Sequence, residues 1–220
     1  RTIPLCNDFL LSLKRTETVF ADIYKNNKWG DRHSVSGPGS NMEETAAIRD
    51  ELPKILDHYN ISSILDIPCG DFFWMKTVDI GRCSYIGADI VQDLIIKNKR
   101  FETENRSFVQ LNLIKDQLPS VDLLLVRDCL VHLSYSDIIK AIDNICGSGS
   151  KYLLTTTFTG RSCNANIVTG EWFPLNLQIA PFCFPEPIQI INEKNPSAEY
   201  PDKSLALWRI EHILKCWVKS

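Results

Sequence analysis

The stretch Leu65-Asp66-Ile67-Pro68-Cys69-Gly70-Asp71 (LDIPCGD) decides how this chain reads. It closes a short aliphatic run, 63–67, and breaks at once into a turn built on proline and glycine, as a buried strand does on leaving a sheet. About 20 residues farther on, a second run closes in Gly87-Ala88-Asp89-Ile90, which is the layout of a nucleoside site. A tight turn after the first strand brings backbone close to a ligand. A carboxylate closing the second strand can accept hydrogen bonds from both ribose hydroxyls.

Outward from this pair, β-branched and aliphatic runs alternate with longer stretches of helical character. The candidate strands are 63–67, 85–90, 107–111, 121–127, 152–157, 188–192 and 204–210. Short apolar strands of this kind are expected to be buried on both faces, in a parallel sheet flanked by helices. The fold class is α/β: a doubly wound, Rossmann-like, seven-stranded and mostly parallel sheet, with an antiparallel hairpin allowed at its end. Before it, apolar residues recur at helical spacing over 5–24, and 45–59 reads as a second helix preceded by Glu43 and Glu44. One domain spans 1–220, with an N-terminal cap of helices and loop (1–60) on a core (61–220). The chain opens on Arg1 rather than Met, which suggests a domain cut from a longer polypeptide.

With 220 residues, 44% hydrophobic, the chain can bury one sizeable core. A net charge of -3 provides no excess of Lys and Arg to neutralise phosphates, so a nucleic-acid partner is not expected. The eight cysteines are scattered singly, without a CxxC pair or a nearby His at ligand spacing, so no metal site is expected and the thiols read as reduced. No apolar run reaches the ~20 residues that span a bilayer, and no secretory leader is visible; a cytoplasmic protein is expected.

The turn also discriminates between nucleoside ligands. A pyrophosphate wants GxGxxG, whose backbone N–H groups face two phosphates at a helix N-terminus. Here Pro68 removes one N–H, Gly70 alone remains, and Asp71 would repel a phosphate. An acidic turn suits a ligand with an ammonium and a sulfonium, so the turn is wrong for a dinucleotide and acceptable for S-adenosylmethionine (SAM).

Residues 65–72, then Asp89, then Asn112, then 121–134 resemble the class I SAM-dependent methyltransferase family over most of the chain. That resemblance implies a seven-stranded sheet. It also implies the methionine part of SAM near Asp66, Pro68, Cys69, Gly70 and Asp71, ribose on Asp89 beside Ile90, and adenine beside Asn112 and Leu113. Two departures stand out: the family's first motif carries glycine where this chain has Pro68 and Phe72, and its adenine-side residue is more often Asp than Asn112. More narrowly, the loop 29–40 (WGDRHSVSGPGS), residues 66–74, 127–134 (RDCLVHLS) and 172–187 are similar to a subgroup found beside or fused to glycosyltransferases, including multidomain glycan-building proteins of large algal viruses. This implies a sugar hydroxyl as acceptor, rhamnose among the candidates, S-adenosylhomocysteine (SAH) as product, fused glycosyltransferase domains, and a host cytoplasm as location.

The loop 29–40 is too polar for a core element yet carries an aromatic, an Arg and a His. It reads either as a segment folding over a ligand, with Trp29, Ser36 and Gly37 toward the cofactor and Arg32 and His33 toward the acceptor, or as a solvated linker. After the fourth strand, His132 is the first candidate for the general base, since methylation of an alcohol requires its proton to leave; a hydrogen-bonded structural histidine is the plainer alternative. Asp128 is the rival base, or the group that orients the imidazole. Arg127 either binds the SAM carboxylate or acceptor, or pairs with a local acid. The aromatic and proline-rich segment 169–187, with Trp172, Phe182 and Asn176, and Trp74 near the turn, fit a carbohydrate wall, or else a lid packed on the core. Lys203 and Glu193 suit either purpose. Another small molecule or a protein side chain as acceptor, and a nucleoside-binding module without catalysis, are the alternative functions.

Overall fold

The computed structural model describes residues 16–195 and 199–217. In chain order these form α1 (Thr16–Lys25), α2 (Ala46–His58), β1 (Ser63–Asp66), β2 (Ser84–Asp89), α3 (Gln92–Asn98), β3 (Arg106–Gln110), β4 (Leu123–Val126), α4 (Tyr135–Gly147), β5 (Tyr152–Phe158), β6 (Gln189–Asn192), β7 (Lys203–Arg209) and α5 (Ile210–Trp217). The first part of the expected 5–24 helix, before Thr16, lies outside the described residues.

One seven-stranded sheet has the order β3-β2-β1-β4-β5-β7-β6. Its first five members in this order run parallel, while β7 is antiparallel to both β5 and β6. The sequence dictates both faces. On β4, Leu124 and Val126 join one core and Leu123 and Leu125 the other; on β7, Ala206 and Trp208 divide in the same way from Leu205 and Leu207. The first core takes up α4, whose Ile138, Ala141, Ile142 and Ile145 recur at helical spacing behind the N-cap Ser134. The second takes up α2 through Ile48, Leu52 and Ile55.

Burial on both faces is not general, contrary to the sequence expectation. On β3, Phe108 alone is buried, and on β6 Ile191 alone, because each lies at a sheet edge with a strand neighbour on one side only. The chain turns from β1 toward β2 and β3 on one side, and β4 and β5 lie on the other. Between β1 and β4 the order reverses, and the crevice past the carboxyl ends of such strands is where ligands bind in doubly wound sheets. No helix among the described residues is long and apolar enough to cross a membrane.

Candidate functional site

A cavity of about 750 Å³ opens at this crevice, lined by Asp66, Pro68, Cys69, Gly70, Asp89 and Asn112, among others. Its floor is the turn after β1. The Asp89 carboxylate accepts the amide N–H of Gly70 at 3.1 Å and that of Val91 at 2.9 Å, so the ends of β1 and β2 are locked together. Gly70 is left-handed (φ 53°), and a Cβ there would meet Ser36 Oγ at 2.1 Å. Phe72, where the resembling family has glycine, is left-handed too (φ 59°), and its ring packs on Tyr85 and Phe108. A non-glycine residue thus holds the left-handed conformation here, at roughly 1–2 kcal/mol of local strain offset by aromatic burial.

Both acids of the floor are buried. Burial pushes Asp89 up to about 6 and Asp66 up to about 7, the latter opposed by the Tyr85 hydroxyl that donates to it at 2.6 Å. Asp71 lines the cavity beside Gly70 and has a second task that the sequence did not announce. Its carboxylate accepts from the Ser34 hydroxyl (3.0 Å), the Val35 amide (3.2 Å) and the Phe73 amide (3.2 Å), and Ser36 Oγ accepts the Asp71 amide (3.1 Å). It clamps the 29–40 loop onto the floor while still lining the cavity, so the charge holds the cover as well as bordering the ligand space. Trp29, Ser36 and Gly37 line the cavity under that cover, as does Ile90.

At one end of the cavity Leu113 and Leu94 form an apolar slot, and Phe20 lines the cavity beside Trp29. Asn112 lines it but is already engaged: its Nδ2 donates to Glu17 at 3.0 Å, and its Oδ1 accepts the Ile114 amide at 2.9 Å. Glu17 also pairs with Lys115, which together with its hydrogen bonds lowers its pKa to about 2.

At the other end stand His132 and a buried ionic cluster. His132 Nδ1 lies 2.8 Å from the Glu171 carbonyl. A carbonyl only accepts, so Nδ1 carries the proton and Nε2 has the lone pair. Burial lowers the imidazole pKa, against the Glu171 hydrogen bond and the Asp128 charge that raise it, so the ring is neutral near pH 7. Asp128, left-handed at φ 48°, accepts from Lys203 (2.8 Å), and Arg127 lies 3.2 Å away. Against the cost of burial, these cations hold its carboxyl far below the carboxylate range, which makes Asp128 a poor base. No hydrogen bond joins it to His132 among the described residues; the Glu171 carbonyl orients the imidazole instead. Arg127 pairs with Glu193 at 2.8 Å and sits over the Trp74 ring at 5.6 Å, so it has a local acid partner while also lining the cavity.

Trp172 lines this end together with Phe158 and Tyr200, in mutual edge-to-face contact. Four expected acceptor contacts separate. Arg32 and His33 are exposed and do not line the cavity, because the loop turns its Ser34 side inward to Asp71. Asn176 is buried and donates to the Arg161 carbonyl at 2.9 Å, bracing a loop, and Phe182 packs in the core against Tyr135. Sequence reasoning passed over Glu44 and Tyr200. Glu44 lines the cavity, accepts from Asn195 at 2.6 Å, and has its pKa raised chiefly by burial. The acidic pair before α2 was visible in the sequence, but which of Glu43 and Glu44 turns inward depends on packing. No cluster of potential metal ligands occurs among the described residues.

No family model matches the sequence, and no curated protein does. Solved structures do match in fold. A Burkholderia thailandensis 1,6-didemethyltoxoflavin-N1-methyltransferase, bound to its acceptor and SAH, is similar with a TM-score of 0.61 at 12% identity, over 95% of this chain and 92% of that one. Human N-acetylserotonin methyltransferase in complex with SAM gives 0.57 at 14% identity over 89% of this chain, which spans 60% of the human enzyme's length. The N-methyltransferase NodS of Bradyrhizobium japonicum gives 0.56 at 16% identity, over 78% of this chain and 98% of that one. The chain therefore has the Rossmann-like methyltransferase fold. Nothing in these comparisons bears on a sugar acceptor or a viral origin.

Proposed function

We propose that the chain is a SAM-dependent methyltransferase, with the adenosyl group between Asp89 and the Leu113 slot and the acceptor at the end of the cavity that His132 lines. The observation that carries the reading is that a neutral imidazole, its Nδ1 occupied by a carbonyl, shares one cavity with a buried ribose-type carboxylate. The volume, about 750 Å³, suits a ligand of this size with a small acceptor beside it. The three similar folds cited above are methyltransferases by name, two of them bound to SAM or SAH.

The acceptor we favour is a hydroxyl oxygen, and specifically a sugar hydroxyl. The aromatic rings of Trp172 and Tyr200, with Glu44 in the same cavity, offer a sugar apolar surface to pack on and a hydrogen-bond acceptor. Bound SAM supplies an electrophilic methyl whose carbon–sulfur bond breaks as the acceptor oxygen attacks, the electron pair leaving with sulfur as SAH. His132 Nε2 takes the hydroxyl proton, adding ~10²–10⁴-fold to what alignment provides. Asp128 stays charged and steadies the imidazolium by proximity. Another small molecule or a protein side chain remains the second reading, because the acceptor end is open enough to leave Trp172 40% exposed.

Calorimetry with SAH, followed by methyl transfer from labelled SAM to a panel of neutral glycans, tests the reading. Labelled product on a glycan, lost in His132→Gln, supports it. SAH binding without transfer to any acceptor favours a nucleoside-binding module.

A further inference from the structure

Trp29 belongs to the cover, not to the floor, yet its indole lies on the His132 imidazole with ring centroids 4.9 Å apart at a tilt of 33°. The imidazole is thus fixed twice, in its plane by the Glu171 carbonyl and across its face by the indole. The loop returns onto Trp29 through Gly37, whose φ of 90° strains any side chain and whose would-be Cβ would crowd Trp29 Cβ at 3.1 Å. From there the chain runs to Ser36 and Ser34, which Asp71 holds, and the neighbouring Gly70 amide is held by Asp89. A continuous set of contacts therefore joins the ribose-side carboxylate to the face of the imidazole.

We propose that Trp29 is a positioning residue: its π face stabilises the imidazolium that forms on His132, and the Asp71 clamp keeps it there. This rests on His132 acting as the base in the proposed function. A protonated imidazole over an indole gains the attraction of a cation for the ring quadrupole, which a neutral imidazole does not. The stack therefore favours the proton-bearing state reached during transfer.

The other charges near the ring are accounted for. Asp128 and Lys203 act on it with opposite sign, Arg127 is spent on Glu193 and Asp128, the Glu171 carboxylate accepts the Val168 amide at 3.0 Å, and Lys28 pairs with Asp22.

The test is an NMR titration of the His132 ring, identified by its loss in His132→Gln, in the wild type, Trp29→Phe, Trp29→Leu and Asp71→Ala. Phe keeps a π face and Leu keeps apolar cover without one, so desolvation changes little between them. The expected result is roughly threefold weaker proton affinity in Trp29→Leu, near-wild-type titration in Trp29→Phe, and a shift toward the Leu variant in Asp71→Ala. Titration that is unmoved or moved upward in Trp29→Leu overturns the stabilising stack, and an unmoved Asp71→Ala overturns the clamp. Thermal unfolding of each variant identifies one that has not folded, and the Trp29→Phe and Trp29→Leu pair decides the question where Asp71→Ala does not fold. None of these titrations needs SAM, SAH or an acceptor. If SAH fails to bind the wild type, the proposed function falls while the stack is still read directly.

Discussion

The Asp89 carboxylate accepts the Gly70 amide at 3.1 Å, and this bond ties the end of β2 to the turn that leaves β1. Asp89 is 4% exposed, and it does two things at once: it shapes the turn, and it lines the cavity where a ribose would offer its hydroxyls. Hydroxyl donors favour the ionised carboxylate, whereas burial has raised its pKa to about 6. SAH affinity should therefore be level above pH 7 and weaken as pH falls below about 6. Calorimetry from pH 5 to 8 checks this; a level profile in Asp89→Asn and a sloping one in the wild type is the expected contrast.

Stability should run the other way. Asp66 and Asp89 carry folded pKa values of about 7 and about 6, raised above their unfolded value of 3.8, so the folded chain binds more protons than the unfolded one between these limits. Their contribution is complete below 3.8 and is lost as pH rises through 6 to 7. For Asp66 the difference is of order 4 kcal/mol at most. Thermal melts of the ligand-free protein should show Asp66→Asn gaining on the wild type as pH rises from 5 to 8, with Tyr85 still donating to the amide oxygen. Parallel curves would contradict the burial argument.

Gly70→Ala should open the cover. A methyl at that position would overlap Ser36 Oγ, and the left-handed backbone adds strain of roughly 1 kcal/mol or more. The expected outcome is faster proteolysis within the 29–40 loop and SAH affinity reduced about tenfold or more. Wild-type protection would mean that the Ser36 contact does not hold the loop.

The cluster of Arg127, Glu193, Lys203 and Asp128 balances two cations against two carboxylates with little solvent access, and removing Glu193 leaves both buried cations to share the single carboxylate of Asp128. Glu193→Leu should cost ~3–5 kcal/mol in chemical denaturation, whereas the double change Glu193→Leu with Arg127→Met should recover part of that loss. Strict additivity of the two would show that they do not act as a pair.

The sheet was legible because its strands are apolar runs punctuated by turn residues; all seven candidates fall within two residues of observed strands at each end. Asp66, Gly70, Asp89 and His132 were legible for the same reason, since each sits where a strand delivers the chain to the crevice. Asn176 and Phe182 were misplaced because their roles depend on packing against distant sequence, where Asn176 meets Arg161 and Phe182 meets Tyr135; the clamp of Asp71 on Ser34 was hidden for the same reason. The inward turn of Glu44 has no local signal at all; it follows from Asn195, far along the chain.

His132→Gln should lower turnover by ~10²–10⁴-fold with SAH affinity changed no more than a few-fold, because the imidazole is assigned to the acceptor's proton. If SAH affinity collapses with it, His132 is part of the cofactor site.

The pocket itself is tested most directly by isothermal titration of SAH into the wild type and Asp89→Ala. One-to-one binding by the wild type and at least tenfold weaker binding by Asp89→Ala is expected, since two charge-assisted hydrogen bonds from ribose are lost. Equal affinity in the two proteins, or no binding by either, would contradict a nucleoside seated on Asp89.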